Sequence, residues 1–497
     1  MTEGFTEPAA PVADLAATAP RKRWPFVVGA VVVGAVVLAG AAVAAFVLLS
    51  GRGPQPEAAL PADTIGFVKL DLDPSAGQKV NTLRFLRDNL PADMGFSVDP
   101  DSPDPIGDAL ASSGVFDGED FTWQDIDAWV GDRAAVAAVP TGAGEVAPVF
   151  IIRIDDEAAM RSFFAAHAPD AAYGMVREGY AVIAETKGAV DAVTGAQSWL
   201  ADSASFRSDM SQLGGGQIVV GWADAAAAQA AQQSIDDLAG TDLPSTEDFS
   251  LTGRVAMGLA VEPDVLELLT VASDFAVNGD TPPWMSPSTD LGSLPADVVA
   301  AVTFGNLGQY LDGILALSAV RDLVPDVEEQ VAAETGMGID DVIQVMSTTM
   351  TAFAMQSAAG FEDAPLVGAR LAQTDGTSSA SVSNLLEAAD LAEAVRVADG
   401  TGADGTAYVE LSSPDQDDPF TQIGETLADV PSFGKVIVDD AAIAAFVNMS
   451  SVWKYLAAQS PETETYPDIT AAGLAYEMGA EGDNVSRMRL RVAFDGQ

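Results

Sequence analysis

A long apolar segment near the N-terminus constrains this chain more than any other feature. Between Pro25 and Ser50 lie 24 uncharged residues. A helix of that length is about 36 Å long and can cross a hydrocarbon core of about 30 Å. Three basic residues precede the segment, and Arg52 is the nearest basic residue after it. Because basic residues concentrate on the cytoplasmic side, the sequence predicts a cytoplasmic tail at 1–24 and a single-pass transmembrane helix at 25–50.

A cleaved signal peptide is the main alternative to this anchor. The apolar region of a signal peptide is usually about 7–15 residues long, and this segment is longer. A lipoprotein anchor would require a cysteine, and the chain has none. The sequence therefore predicts an uncleaved anchor in the cell membrane, with the remainder of the chain outside the cytoplasm.

The charge balance of the exported part excludes several functions. The chain has a formal net charge of −50, with 73 acidic and 23 basic residues. The three acidic and three basic residues before the apolar segment cancel, so the excess lies beyond it. Such a surface repels nucleic acid and anionic lipid headgroups. With no cysteine and one histidine, His167, thiolate nucleophiles and multi-histidine metal sites are also excluded. We expect no cofactor; the expected partners are the membrane and an unknown envelope protein or ligand.

Several segments of the exported part occur twice in the same order. The motif Leu-Pro-Ala-Asp stands at 60–63 and again at 294–297, each time before an apolar strand. Further matches pair 133–139 with 351–357, 147–154 with 364–371, 179–183 with 405–409, 216–231 with 434–449, and 254–262 with 472–481. The order indicates a duplication, with a linker at 51–60, a first repeat unit at 61–285 and a second at 286–497.

Each repeat alternates short strands with helical stretches. The stretch AVAAVPTGAGEVAPVFIIRI, starting at Ala135, predicts two strands joined by a glycine-containing turn, an antiparallel hairpin. We therefore expect an α+β fold, in which the N-terminal transmembrane helix is followed by two duplicated α+β units with antiparallel sheets covered by helices.

Three short motifs match catalytic or ligand-binding patterns only as strings. Gly400–Gly405 resembles a dinucleotide fingerprint, but a strand follows it where a helix is required; we interpret it as a turn. Ser451 and Lys454 match the S-x-x-K pattern without the accompanying K-T-G and are typical of an amphipathic helix. His167 ends a predicted helix, where a cation favours the helix dipole. We predict no catalytic residue from these motifs.

Two acid-rich loops invite a calcium interpretation. Neither has the spacing, central glycine and closing glutamate of an EF-hand loop. Their acidic residues are Asp99, Asp101, Asp104 and Asp108 in one, and Asp415, Asp417 and Asp418 in the other. With so many carboxylates in the chain, such clusters are expected without a binding role, and we predict no metal-binding or cofactor-binding residue.

The most distinctive local sequence follows the first predicted strand. Asp73 precedes a proline and can cap the start of a helix that contains Ser75. Lys79, Arg84 and Arg87 lie on that helix, mostly away from its apolar side, in a domain that has few basic residues. We predict these five residues as contacts for a ligand or partner; a purely structural amphipathic helix is the alternative.

The same segment carries a resemblance to a known family. LPADTIGFVKLDLDPSAGQKVNTLRFLRDNLP, together with DAWVGDR, GYAVIAETKGAVDAV and FRSDMSQLGG…VVGWAD, resembles the DUF3352 family of actinobacterial membrane-anchored proteins. The resemblance covers about residues 55–497 and is looser in the second repeat. The family has no known function, so the resemblance implies a location and a lineage and supplies no catalytic residue.

Taken together, these patterns favour a protein that is not an enzyme and acts by binding or scaffolding in the cell envelope. A carrier for an apolar or lipid ligand is the first alternative, and an apolar cavity lined by valine, isoleucine, phenylalanine and methionine would favour it. A carboxylate-dependent hydrolase is the second alternative, and it would require a cleft with two carboxyl groups about 5–10 Å apart.

Overall fold

A computed structural model describes most of the chain beyond the predicted membrane anchor. The described residues are 54–70, 121–142, 145–169, 171–232, 250–288, 290–321, 324–357, 360–361, 363–402, 405–416, 419, 424–438, 440–459, 468–479 and 484–495. The predicted tail and transmembrane helix lie outside them. No helix within the described ranges is both long enough and apolar enough to span a bilayer.

Within the described ranges, sixteen strands form one antiparallel sheet. They are β1 Gly66–Leu70, β2 Val130–Gly142, β3 Glu145–Ile154, β4 Ala172–Met175, β5 Tyr180–Ala184, β6 Val219–Asp224, β7 Leu251–Val261, β8 Val265–Val277, β9 Val298–Phe304, β10 Met350–Met355, β11 Leu366–Ala372, β12 Arg396–Thr401, β13 Ala407–Ser412, β14 Ile443–Asn448, β15 Ile469–Met478 and β16 Val485–Phe494. The order across the sheet is β12-β13-β11-β10-β9-β14-β15-β16-β8-β7-β6-β1-β2-β3-β5-β4.

Short helices connect and cover the strands. The α-helices are α1 Trp123–Asp127, α2 Glu157–His167, α3 Lys187–Thr194, α4 Ala204–Leu213, α5 Ala225–Ala230, α6 Leu307–Ala316, α7 Ser318–Arg321, α8 Val324–Thr335, α9 Ile339–Met346, α10 Ser379–Ala388, α11 Pro431–Val436 and α12 Met449–Gln459. The 3-10 helices are η1 Pro56–Ala59, η2 Arg177–Gly179, η3 Leu200–Asp202, η4 Asp290–Ser293 and η5 Leu427–Asp429.

The strand order on one side of the central β8–β16 pair repeats on the other. β1 corresponds to β9 in this order, β2 to β10, and so on to β8, which corresponds to β16. The Leu-Pro-Ala-Asp segments make the same contacts: Leu200 N–H donates to Leu60 C=O at 2.9 Å, and Leu427 N–H donates to Leu294 C=O at 2.8 Å. Two positions with the same place in this pattern are called equivalent below.

The predicted fold class is wrong. We expected two α+β units, each with its own sheet, whereas one continuous sheet runs through both halves. The reason is the pairing of β16 with β8, which are the last strands of the two halves and meet from Val485 opposite Ser273 to Ala493 opposite Val265. The residue pattern of a strand does not show which other strand will pair with its edge. The sequence therefore did not indicate that β8 and β16 would pair.

One predicted sequence match is displaced. The predicted match of 216–231 with 434–449 aligned β6 with the residues just before β14. In the sheet, β6 and β14 themselves are equivalent, because β6 pairs with β1 and β14 pairs with β9. The apolar run that misled the comparison ends helix α11 at Val436 and is not a strand. Each equivalent strand is followed by a capped helix: Asp224 accepts the Ala227 N–H at 2.9 Å and Asn448 accepts the Ser451 N–H at 3.1 Å.

The two faces of the sheet differ. The first face carries Phe67, Trp222 and Phe446, which are buried under 3-10 helices and α3, α4 and α11. On the second face, helices form two buried clusters over the outer strands, and Tyr310 of α6 lies near Tyr476 of the central strand β15. The two clusters are Met160 and Phe164 of α2 over Ala134, Ile152 and Ala181, and Val345 of α9 with Val382 of α10 over Leu371 and Val409. The central strands of the second face lie between these two clusters.

Candidate functional site

An apolar row crosses the centre of the second face. Seven consecutive strands, from β6 through β7, β8, β16, β15 and β14 to β9, each contribute one side chain, and neighbours lie directly opposite one another. The residues of this apolar row are Val219, Leu259, Leu268, Leu490, Leu474, Ala445 and Val302. Since neighbouring strands are about 4.8 Å apart, the row is roughly 29 Å long.

A second row runs beside the first and is almost as apolar. It consists of Gly221, Met257, Thr270, Met488, Tyr476, Ile443 and Phe304. We call the two rows together the apolar strip. No position of the strip carries a charged side chain, although the chain has a net charge of −50.

The strip is accessible in part. Leu490, at its centre, is 37% exposed, and the other side chains of the apolar row are half-buried. Contiguous exposed apolar surface on a protein is commonly a binding site for a ligand or partner. The geometry therefore makes the strip the leading candidate for a binding surface.

The first face of the same central strands is charged. Arg491 Nε lies 2.6 Å from Glu267 Oε2, and Arg489 Nη1 lies 3.5 Å from the same carboxylate oxygen. Arg487 donates to Gln212 of α4. These side chains alternate along β16 with Met488 and Leu490, so successive residues point to opposite faces. The alternation confines the charge to one face and leaves the other free of it.

A buried ion pair lies at the end of β1 on the first face. Lys69 Nζ is 2.8 Å from Glu57 Oε1, and the two side chains are only 9% and 11% exposed. Lys69 also donates to Gln55 at 3.1 Å. A lysine two residues after buried Phe67 lies on the same face as it, so the alternation within β1 was a signal for a buried cation that the sequence analysis missed.

The equivalent place in the second half is neutral. Leu291 stands in η4 where Glu57 stands in η1, and Thr303 in β9 is equivalent to Lys69. Thr303 Oγ1 lies 3.0 Å from Ser288 Oγ and 2.9 Å from Thr351 Oγ1, and all three hydroxyl residues are buried. Thus the two halves fill the same place with different chemistry.

The residues predicted as ligand or partner contacts, Asp73, Ser75, Lys79, Arg84 and Arg87, lie outside the described residues. The structure therefore places none of them, and their role stays a prediction. The acidic loop at 99–108 also lies outside, as do Asp417 and Asp418 of the second loop. Within the ranges the structure describes, no group of three or more His, Asp or Glu side chains could hold a metal ion.

The three short motifs are placed in ordinary structural settings. Gly405 N–H donates to Gly402 C=O at 2.9 Å, within the connection between strands β12 and β13. Ser451 and Lys454 lie on helix α12, where Lys454 Nζ is 5.4 Å from the centre of the Phe361 ring. His167 ends α2 with its ring 5.0 Å from that of Phe163.

Two titratable groups near α12 are affected by burial. Burial raises the pKa of Asp297, a half-buried carboxyl just before β9. Burial also raises the pKa of the Tyr455 phenol, and the nearby Asp297 and Asp363 charges act in the same direction. Desolvation is the largest cause of both shifts, so they do not by themselves indicate catalysis.

No family model matches the chain, and no match was found among curated proteins or among solved structures. The resemblance to DUF3352 proteins therefore stays a prediction.

Proposed function

We propose that this chain is a membrane-anchored extracytoplasmic protein that acts in the cell envelope by binding, without catalysing a reaction, and that its ligand is an apolar molecule of the lipid class. The anchor is the predicted transmembrane helix at 25–50, with the N-terminus in the cytoplasm. The sequence favours binding or scaffolding, with a carrier for an apolar ligand as the first alternative, and the apolar strip supports that alternative.

The single observation that carries the proposal is the uncharged character of the strip. Surface acidic residues are abundant in this chain, yet two adjacent rows across seven strands carry none. Burial of apolar surface stabilises a protein by about 25 cal/mol per Å². Leu490 is exposed and does not contribute this stabilisation in full. A ligand that covers the strip would recover that stabilisation.

The surroundings of the strip favour a slender ligand over a flat protein surface. Helix α2 covers the outer strands at one end of the rows, and α9 with α10 covers them at the other. The strip is thus bounded by helices at both ends, extends across seven strands and is two rows wide. A hydrocarbon chain needs apolar contact and no hydrogen-bond partner. The strip provides mostly apolar side chains, so it suits such a ligand.

Photo-cross-linking from Leu490 tests the proposal in the protein's own membranes. The full-length chain would carry a benzophenone amino acid in place of Leu490, and a control would carry it in place of Leu391, which is 47% exposed and lies outside the strip. After irradiation, we expect intact-mass analysis to find a lipid-sized adduct on the first variant and not on the second.

Two results would contradict the proposal. A shift to a much larger mass at Leu490 alone would identify a protein partner and restore the scaffold as the better interpretation. Equal labelling of both positions, or no adduct at either, would remove the strip as a specific binding surface.

A further inference from the structure

Arg133, near the start of β2, and Arg153, near the end of β3, have no acidic partner among the described residues. Arg153 lies opposite Tyr180 of β5, and Arg133 and the Tyr180 hydroxyl both donate to the Pro54 C=O. Lys69 is neutralised by Glu57. The two guanidinium groups therefore leave a local positive charge in a strongly acidic chain.

Arg133 is the more unusual of the two. It is only 5% exposed. Its Nη1 donates to Pro54 C=O across a long 3.4 Å, and its buried Nε has no hydrogen-bond partner. A buried charge that is neither paired nor fully hydrogen-bonded costs several kcal/mol. Arg133 thus has the properties of a group whose counter-ion is a ligand.

Arg153 supplies a second guanidinium near Tyr180, whose hydroxyl shares the Pro54 carbonyl with Arg133. Its Nη1 donates to the Glu178 backbone C=O, and its Cζ lies 5.8 Å from the centre of the Tyr180 ring. Gly179, with φ +76°, permits this approach, because a Cβ there would lie 2.9 Å from Arg153 Nη1. The backbone therefore holds Arg153 in place and leaves its charge available.

The linker fixes this site close to the predicted membrane anchor. Pro54 C=O accepts the Tyr180 hydroxyl at 2.6 Å, and Glu57 binds Lys69. The predicted transmembrane helix ends at Ser50. Since a chain extends at most about 3.6 Å per residue, Pro54 lies within roughly 14 Å of Ser50. The end of the sheet that carries the two arginines is therefore near the lipid headgroups.

We propose that Arg133 and Arg153 form a binding site for the phosphate group of an anionic membrane lipid. Guanidinium groups bind phosphate oxygens through paired, charge-assisted hydrogen bonds. The chain as a whole repels anionic headgroups, so such a site would select one lipid in one orientation and would not attract the membrane surface in general. The choice of lipid as the source of the phosphate rests on the proposed membrane anchoring; the arginine site itself does not depend on the apolar strip.

Binding of a soluble short-chain phosphatidylglycerol to the full-length protein in a neutral detergent tests the site, with inorganic phosphate as a second probe. We expect the wild type to bind the lipid and Arg133→Gln to weaken its binding about ten- to a hundred-fold, the effect of losing one charge-assisted hydrogen bond. Arg153→Gln should weaken binding in the same direction without changing a buried group, and Arg133→Lys should retain part of it.

Arg370→Gln is the matched control. Arg370 is 4% exposed and stacks on Tyr408, with 4.4 Å between its Cζ and the ring centre, in the second half. Its substitution should leave lipid binding unchanged. Equal binding by wild type and both glutamine variants, or no binding at all, would overturn the site. Binding of inorganic phosphate with no binding of the lipid would overturn the lipid as its source. None of these results would bear on cross-linking at Leu490, so the two proposals fail separately.

Discussion

The two halves of the sheet place different chemistry at equivalent positions. In the first half, Glu57 and Lys69 form a buried ion pair 2.8 Å apart. In the second half, Leu291 and Thr303 take the same places, and the threonine joins a network of neutral hydroxyl groups. The comparison shows that this place in the sheet can be filled by either chemistry. The charges of the first half are therefore not required by the topology.

A second pair of positions repeats the contrast. Trp222 packs against Phe206, and its indole N–H donates to Asp209 at 2.9 Å, which in turn binds Arg254. The equivalent contact in the second half is between two apolar rings, Phe446 and Phe433, with centres 5.2 Å apart. At this second pair of positions, too, the first half uses a buried charge and the second half uses neutral packing.

The largest loss of stability is expected when one member of the buried ion pair is replaced by the residue at the equivalent position of the second half. In Glu57→Leu, Lys69 loses its carboxylate partner in a buried place. We expect the free energy of unfolding to fall by about 3–5 kcal/mol, as for other broken buried ion pairs. Urea denaturation of the full-length protein, followed by tryptophan fluorescence, measures it.

The matched control removes both charges. In Glu57→Leu combined with Lys69→Met, the methionine keeps much of the lysine's volume without its charge. We expect most of the lost stability to return, to within about 2 kcal/mol of the wild type. If the double variant were as unstable as the single one, shape and not the unpaired charge would explain the loss.

Trp222→Phe makes the first half resemble the second at the aromatic contact. It removes the N–H that Asp209 accepts, while Arg254 still binds that carboxylate. We expect a loss of about 1–2 kcal/mol, since a hydrogen bond to a charged group is stronger than a neutral one. No loss in urea denaturation would mean that Arg254 alone satisfies Asp209.

Thr351→Val tests the neutral network of the second half. The variant removes the hydroxyl that donates to Thr303 at 2.9 Å and keeps a similar shape. Thr303 keeps its contact with Ser288, so we expect a loss of only about 1 kcal/mol by the same denaturation. A loss as large as that in Glu57→Leu would contradict the contrast between the halves.

The smallest effect is expected at the surface, at Asp429. The Thr426 N–H at 2.9 Å and its hydroxyl at 3.0 Å hold the pKa of Asp429 below its ordinary value. This stabilisation is fully present above the ordinary aspartate pKa of about 3.9 and is lost as the pH falls through the lowered value. Asp429→Asn should therefore lower the melting temperature slightly at pH 7, and the difference should shrink under acid.

Asp202 is the equivalent of Asp429 and serves as its control. It lies in the same Leu-Ala-Asp segment of the first half, but among the described residues its carboxylate makes one exposed 3.5 Å contact, with Arg177. Asp202→Asn should change the melting temperature less than Asp429→Asn at neutral pH. The reverse order would show that the capping contact of Asp429 contributes little.

Sequence patterns predicted the features that depend on near neighbours. The hairpin of β2 and β3 is present because a glycine-containing turn and two apolar strands lie within one short stretch. The Leu-Pro-Ala-Asp motif precedes equivalent strands in both halves. A further repeat, Leu-Ala-Asp-x-x-Ser-Phe at 200–206 and 427–433, was available in the sequence and would have corrected the displaced match.

Features that depend on distant pairing could not be predicted. The apolar row exists only because β8 meets β16, which places Leu268 opposite Leu490. Along each strand these leucines have the ordinary alternation of any half-buried strand. Likewise, Arg133 reads as a surface arginine until Tyr180 and Pro54 are brought beside it. The role of each of these residues depends on the distant residues that the fold brings beside it.

Native mass spectrometry of the full-length protein, released gently from its own membranes, tests the central claim most directly. We expect the wild type to carry a reproducible adduct of lipid mass and Leu490→Glu, which places a charge in the centre of the apolar strip, to lose it. A bare polypeptide mass for the wild type, or an adduct unchanged by the substitution, would contradict the claim that the apolar strip binds an apolar ligand.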